Sequence, residues 1–142
     1  MTDIFDLPII VDTNVVFEGL TKQGSASDLI VTAWLAGSLN VYASNALLYE
    51  YESILSNKLS PMRWQQTKPI LRRMLSHVQF VSIYYSWRPL SPDPGDEHVI
   101  DCALNANATV ITANVRDFRN AQTEAGLSVL SPVEFVNLLI QK

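Results

Sequence analysis

The nine residues "DPGDEHVID" (93–101) carry four acids, Asp93, Asp96, Glu97 and Asp101. The chain then runs on as "CALNANATVITANVRDF", an apolar stretch patterned first as a helix and then as a strand. So much charge beside core-like segments has two readings. It is a solvated helix N-terminus, or it is part of a site for something positive. Three further positions favour the second: Asp12 in "IIVDTN", Glu50 in "NALLYEYE", and the pair Asn114 and Asp117 in "TANVRDF". Carboxylates brought within a few ångströms repel and raise one another's pKa. Such a cluster is tolerable when it holds a hard divalent cation, which oxygen ligands suit. The pattern therefore points to Mg²⁺ or Mn²⁺ held by Asp12, Glu50, Asp96 and a group in 114–117.

Convergence of these positions requires a particular fold. "LPIIV" (7–11) is a short apolar run consistent with a strand buried on both faces. "ASDLIVTAWLAG" (26–37) has helical spacing and a glycine stop, with Ser25 or Ser27 as its cap. "NVYA" (40–43) reads as a strand and "NALLYEYESIL" (45–55) as a helix. Ser60-Pro61 opens a helical pair over about 60–76, interrupted at Pro69. "VQFVSIY" (78–84) is strand-like, 96–107 helical, "ATVIT" (108–112) a strand, and a short strand near 127–130 precedes a final helix. Ser131 and Glu134 form a capping box there, with Pro132 at the first helical position. Strands alternating with helices predict an α/β domain over 1–142, a parallel sheet of four to five strands covered on both faces. Sites in such sheets form beyond the C-terminal strand ends. Asp12 and Asn114 follow strands directly, Asp96 starts the helix before one, and Glu50 lies early in the helix after "VYAS".

Composition bounds the rest. The chain has 142 residues, 48% of them hydrophobic and 17% charged, which is globular and not disordered. No apolar run is long enough to span a bilayer, and the acidic N-terminus does not resemble a signal peptide. Cys102 is the one cysteine, so a disulfide framework or multi-cysteine metal site is excluded and a reducing, cytoplasmic setting is expected. The net charge is −4, but it is unevenly spread. From Ser53 to Pro92 there is no acid, while Lys58, Arg63, Lys68, Arg72, Arg73 and Arg88 are basic. That asymmetry predicts a basic face on an acidic body.

Together, "IIVDTNVVFEGL", "SNALLYEYESIL", "DPGDEHVIDCALNANATVIT" and "TANVRDF" resemble the PIN-domain ribonucleases, in the family's order over residues 9–118. The group they are most similar to is the VapC-like toxin components of prokaryotic toxin–antitoxin pairs. The resemblance implies a divalent-metal-dependent endoribonuclease with a PIN-like fold, an RNA substrate, a cognate antitoxin and a tendency to dimerise. It assigns Asp12, Glu50, Asp96 and Asp117 to catalysis. Asp12 and Asp96 become the principal metal ligands, with Glu50, Asn114 and Asp117 completing the set. Asn114 stands where many members have Asp, and the Asn-to-Asp spacing to Asp117 leaves open which of the two reaches the metal. Thr13, Asn14 and Thr112 would hydrogen-bond the ligating carboxylates. Lys68, Arg72 and Arg73, with Trp64 beside them, would hold the RNA backbone.

The remaining acids read more plainly. Asp93 and Glu97 are expected to be solvated or to complement the helix dipole; Asp101 fits either role. His98 and His77 are expected to be ordinary surface or half-buried side chains, and Cys102 to be core. Tyr84, Tyr85 and Trp87 fit either core or interface. A Ser–His–Asp hydrolase is disfavoured by the absence of a G-x-S-x-G elbow, and glycine-rich phosphate loops are also absent. Two alternatives share the expected fold. A phosphoryl-transfer or receiver-like protein would need a second Asp at Asn14 or a late Lys. A non-catalytic PIN-like binding module would not need the acid set.

Overall fold

A computed structural model describes residues 3–141. Five strands form one sheet: β1 (Pro8–Val11), β2 (Asn40–Ala43), β3 (Val78–Phe80), β4 (Thr109–Ile111) and β5 (Val129–Leu130). Their order is β3-β2-β1-β4-β5, and every pairing is parallel. Among the described residues seven α-helices accompany it: α1 (Thr13–Thr21), α2 (Ala26–Leu35), α3 (Asn45–Lys58), α4 (Pro61–Leu75), α5 (Glu97–Ala106), α6 (Arg119–Ala125) and α7 (Pro132–Ile140). Ile9, Ile10 and Val11 are successive and all fully buried, so both faces of the central strand are covered. The chain is thus the α/β domain with a parallel sheet that the alternation of patterns predicts.

Most elements start where side-chain chemistry dictates. Ser25, Ser44, Ser60 and Ser131 each accept a hydrogen bond from the third residue of their helix, and the capping box of Ser131 and Glu134 is complete. Trp34 and Tyr51 pack edge to face with ring centres 6.1 Å apart. Trp34 Nε1 donates to the Met74 carbonyl at 2.8 Å, which ties α2 to the end of α4.

Two expectations are corrected. Residues 61–75 form one continuous helix and not a pair, although Pro69 lies inside it. Pro69 is exposed, so the carbonyl that loses its helical donor lies where water can satisfy it, while Leu71 and Met74 anchor the helix on its buried side. The strand expected over 78–84 stops at Phe80. Beyond it the chain leaves the sheet as a strap. The backbone N–H groups of Tyr84 and Tyr85 donate to the Asn105 side chain at 2.8 and 3.0 Å. Phe80, Tyr84, Tyr85 and Trp87 are exposed, so the apolar letters that suggested a strand mark surface. Helices α1 and α6 carry no such sequence signal.

Helix α1 is β-branched and contains Gly19, a poor helix former, so packing and not propensity creates it. A Cβ on Gly19 would meet Val31 Cγ2 at 2.4 Å and the Ser27 carbonyl oxygen at 2.6 Å. The close crossing of α1 and α2 depends on that missing methyl. Gly19→Ala should therefore destabilise the fold by about 1–3 kcal/mol despite alanine's better helix propensity. Urea denaturation checks the sign.

Candidate functional site

Asp12 is the first residue past β1 and the N-cap of α1, and it is 5% exposed. Its Oδ1 accepts from the Thr13 N–H at 2.8 Å. Its Oδ2 accepts from Thr112 Oγ1 at 2.8 Å and from Asn14 Nδ2 at 3.3 Å. Thr112 follows β4, so this single carboxylate ties together the ends of the two central strands and the start of a helix. Three of its roughly four lone-pair positions are used, which leaves capacity for one more partner. Burial raises its pKa, and the bonds from Thr112 and Thr13 pull back against that rise.

Glu50 comes to the same place from α3. Its Oε2 accepts the Thr13 hydroxyl. The next residue, Tyr51, is fully buried and donates its hydroxyl to the Val11 carbonyl, which clamps α3 to the end of β1. Burial raises the Tyr51 pKa far above its ordinary value, so the phenol stays a donor.

Asp96 lies between a short 3₁₀ turn (Pro94–Asp96) and α5, and its side chain makes no helix-capping bond. Its Oδ2 is buried without a hydrogen-bond partner. Desolvation, then the charges of Asp12, Asp93, Asp117 and Glu50, push its pKa from 3.8 up to about 7. A carboxylate held this way gains from a cation.

These groups line one cleft of about 340 Å³. Asp12, Glu18, Glu50, Asp93 and Asp96 supply carboxylates to it, and Asn14 and Asn114 supply amides. Lys58 is the one basic residue in its lining, with Nζ 5.2 Å from the centre of the Phe17 ring. The chemistry of this donor set fits a hard divalent cation. Among the described residues, however, no three His, Cys, Asp or Glu side chains are already closed into a metal-holding group. The acids surround a space without converging on one point.

The structure thus brings Asp12, Glu50, Asp96 and Asn114 to one cleft, with Thr13, Asn14 and Thr112 bonded to its acids. Asp117 lines an adjoining cavity of about 570 Å³ that also contains Asn114, Arg116 and Arg119. Its charge still reaches Asp96. Lys68, Arg72 and Arg73 sit on α4 and do not line the cleft. Arg88, another member of the basic stretch, is engaged with Asp101 at 2.7 Å.

Asp93 is solvated and Glu97 stands in the first turn of α5, as expected, but each does more than that. Glu97 is not solvated: it is 4% exposed, and its Oε1 accepts from the N–H groups of Leu90 at 2.6 Å and Ser91 at 2.9 Å. The strap supplies those donors, and no sequence pattern indicated that it would return to α5. Asp93 is exposed and accepts from the Gly95 N–H at 2.9 Å, yet it also lines the cleft and raises the pKa of both Asp12 and Asp96. Glu18 and Lys58 belong to the site as well. Glu18 was hidden because its helix was not legible in the sequence. Lys58 was legible only as one of six basic residues. Cys102 is core, as expected, and burial lifts its thiol to about 11.

The raised pKa of Asp96 has a sign that can be tested. Between its unfolded value near 3.8 and its folded value of about 7, the native state binds a proton that the unfolded chain has released. The contribution of this group to stability is therefore complete below the lower value and is lost as pH rises to the upper one. In EDTA, Asp96→Asn should melt above the wild type at about pH 8.5, and the gap should shrink toward about pH 4. Melting curves across that range check it.

A family model described as PIN domain matches residues 8–116. No curated protein matches the chain. Among solved structures, VapBC2 from Rickettsia felis bound to a DNA fragment from its promoter is similar at TM-score 0.62 and 16% identity, over 88% of this chain and 98% of that one. FitAcB from Neisseria gonorrhoeae is similar at TM-score 0.61 and 18% identity, with 88% and 98% covered. FitAB bound to the IR36 DNA fragment is similar at TM-score 0.60 and 16% identity, with 87% and 94% covered.

Proposed function

The chain belongs to the PIN-domain family, and from that premise we propose that it is a divalent-metal-dependent endoribonuclease acting as the toxin of a toxin–antitoxin pair. The observation that carries the reading is the cleft lined by five acids, in which Asp96 has an unpartnered buried oxygen and a pKa of about 7. An arrangement that costs the fold this much electrostatic repulsion is expected at a site of function.

In this reading Asp12 and Asp96 hold Mg²⁺ or Mn²⁺, and Glu50, Asn114 and Asp117 complete its surroundings. A cation there supplies Lewis acidity, acidifying water and screening the charge that builds on a phosphate under attack. The chain's own groups do the rest. Thr112, Asn14 and the Thr13 N–H fix both oxygens of Asp12. The Thr13 hydroxyl holds Glu50 toward the same space, which suits Glu50 to accept a proton from water or to orient it. Lys58 at the rim and Lys68, Arg72 and Arg73 on α4 contact the RNA backbone as point charges.

The antitoxin is assigned on the likeness to the VapBC2 and FitAB assemblies. Its expected effect is to block the cleft. No helix among the described residues is long and apolar enough to cross a membrane.

The test is incubation of total cellular RNA with the purified protein and Mn²⁺, with new 5′ ends mapped by sequencing. Discrete cuts are expected. EDTA should abolish them, and Asp96→Asn or Asp12→Asn should lower their rate by at least about a hundredfold. Mn²⁺ should also raise the melting temperature of the wild type and leave that of Asp96→Asn nearly unchanged. A folded, antitoxin-free protein that makes no cuts at any metal concentration would instead support the non-catalytic binding module.

A further inference from the structure

Glu97 is the one buried acid of the "DPGDEHVID" stretch that neither lines the cleft nor pairs with a cation. Asp101, one turn on, has Arg88, whereas Glu97 has only backbone. Burying a carboxylate is costly unless donors meet it. The donors here are two charge-assisted N–H bonds, from Leu90 and Ser91. Those residues end the strap that leads into Asp93 and Asp96.

The contacts continue from Ser91 toward the cleft. Ser91 Oγ accepts from the Asp93 N–H at 3.1 Å and donates to the Asp117 carbonyl at 3.3 Å. One side chain on α5 thus holds the backbone at 90–91, and the Ser91 hydroxyl holds Asp93 and the Asp117 turn. Asp93 and Asp117 are two of the charges that act on Asp96.

We propose that Glu97 is a positioning residue: through Leu90 and Ser91 it fixes the cleft wall that carries Asp93 and Asp96 and the Asp117 turn beside it. The fold does not need it for packing. Val99, Ile100, Cys102 and Ala103 bury α5, and Arg88–Asp101 and the bonds to Asn105 tie the strap further back. The link needs an acceptor at Oε1, which glutamine keeps, but Oε2 is buried without a partner, so the glutamine amide would leave an N–H unpaired there. The consequence for turnover rests on the nuclease reading above; the consequence for the wall does not.

The test compares wild type, Glu97→Ala and Glu97→Gln in three measurements: RNA cleavage with Mn²⁺, Mn²⁺ binding by calorimetry, and hydrogen–deuterium exchange over residues 88–96. Glu97→Ala should lower kcat by about ten- to a hundredfold, weaken Mn²⁺ binding by about tenfold and speed exchange in that segment. Its KM should change by less than about twofold, because no RNA contact is lost. Glu97→Gln keeps the acceptor and should fall between Glu97→Ala and wild type in all three. Should Glu97→Ala fail to fold, Ser91→Ala breaks the next contact in the chain and should move the same measurements in the same direction.

Wild-type kcat and Mn²⁺ affinity in Glu97→Ala, with faster exchange, would overturn the proposal, since the wall would then be loose without effect. Damage in Glu97→Gln as large as in Glu97→Ala would overturn it too, because the retained Oε1 acceptor would then hold nothing. If the wild type cuts no RNA, it is the nuclease reading that fails, and exchange and Mn²⁺ binding still decide the role of Glu97.

Discussion

The carboxylate of Asp12, buried at the end of β1, is the constraint around which the rest of the site is arranged. A charged group in that position is tolerated because three donors from two segments reach it: the Thr13 N–H, the Asn14 amide and the Thr112 hydroxyl. Thr112 stands one residue past β4, and β4 pairs with β1 in register through Val11 and Ile111. Parallel pairing is therefore what brings a donor 100 residues away to within 2.8 Å. Slipping that register by one residue would move the donor and leave a buried charge exposed to the full cost of desolvation.

Around that fixed point the molecule accepts electrostatic strain. Glu50, Asp93 and Asp96 approach Asp12 closely enough to raise pKa values, and little among the lining residues neutralises them. The strain is supported by contacts that carry no net charge into the cleft. Tyr51 clamps α3 to the Val11 carbonyl, Trp34 packs on Tyr51, and Gly19 lets α1 lie close against α2. Stability is thus supplied by apolar packing behind the strand ends, and the acids in front draw on it. This division is common to open α/β sheets, where the strand ends present side chains that the core does not need.

The basic stretch shows how tertiary structure redistributes a sequence-level charge block. Six basic residues without an acid suggest a uniform face. In the fold Lys58 ends α3 and enters the cleft lining, and Arg88 is taken up by Asp101. Lys68, Arg72 and Arg73 stay on α4, away from the cleft. The strap between Val81 and Pro92 is what separates these groups, since it leaves the sheet and runs back along α5 through Asn105, Asp101 and Glu97.

Local signals of the chain by itself determined the strands Pro8–Val11, Asn40–Ala43 and Thr109–Ile111, the capped helices after Ser25, Ser44 and Ser131, and through their alternation the parallel sheet. They also placed Asp12, Glu50, Asp96 and Asn114 near strand ends, because a period-two or period-3.6 pattern broken by a polar residue marks where an element stops. Helix α1 was not legible, since its residues favour it only once Val15, Val16 and Gly19 are packed. The continuous helix through Pro69 and the early end of β3 were misread because exposure decided each, and exposure belongs to the folded molecule. Which acid is buried was likewise a tertiary matter. Asp93 and Glu97 are near neighbours in one acidic run. Two backbone N–H groups from the returning strap bury Glu97, and open water keeps Asp93 at the surface. Sequence places a charge on an element, but only the assembled fold supplies the donors that let it be buried.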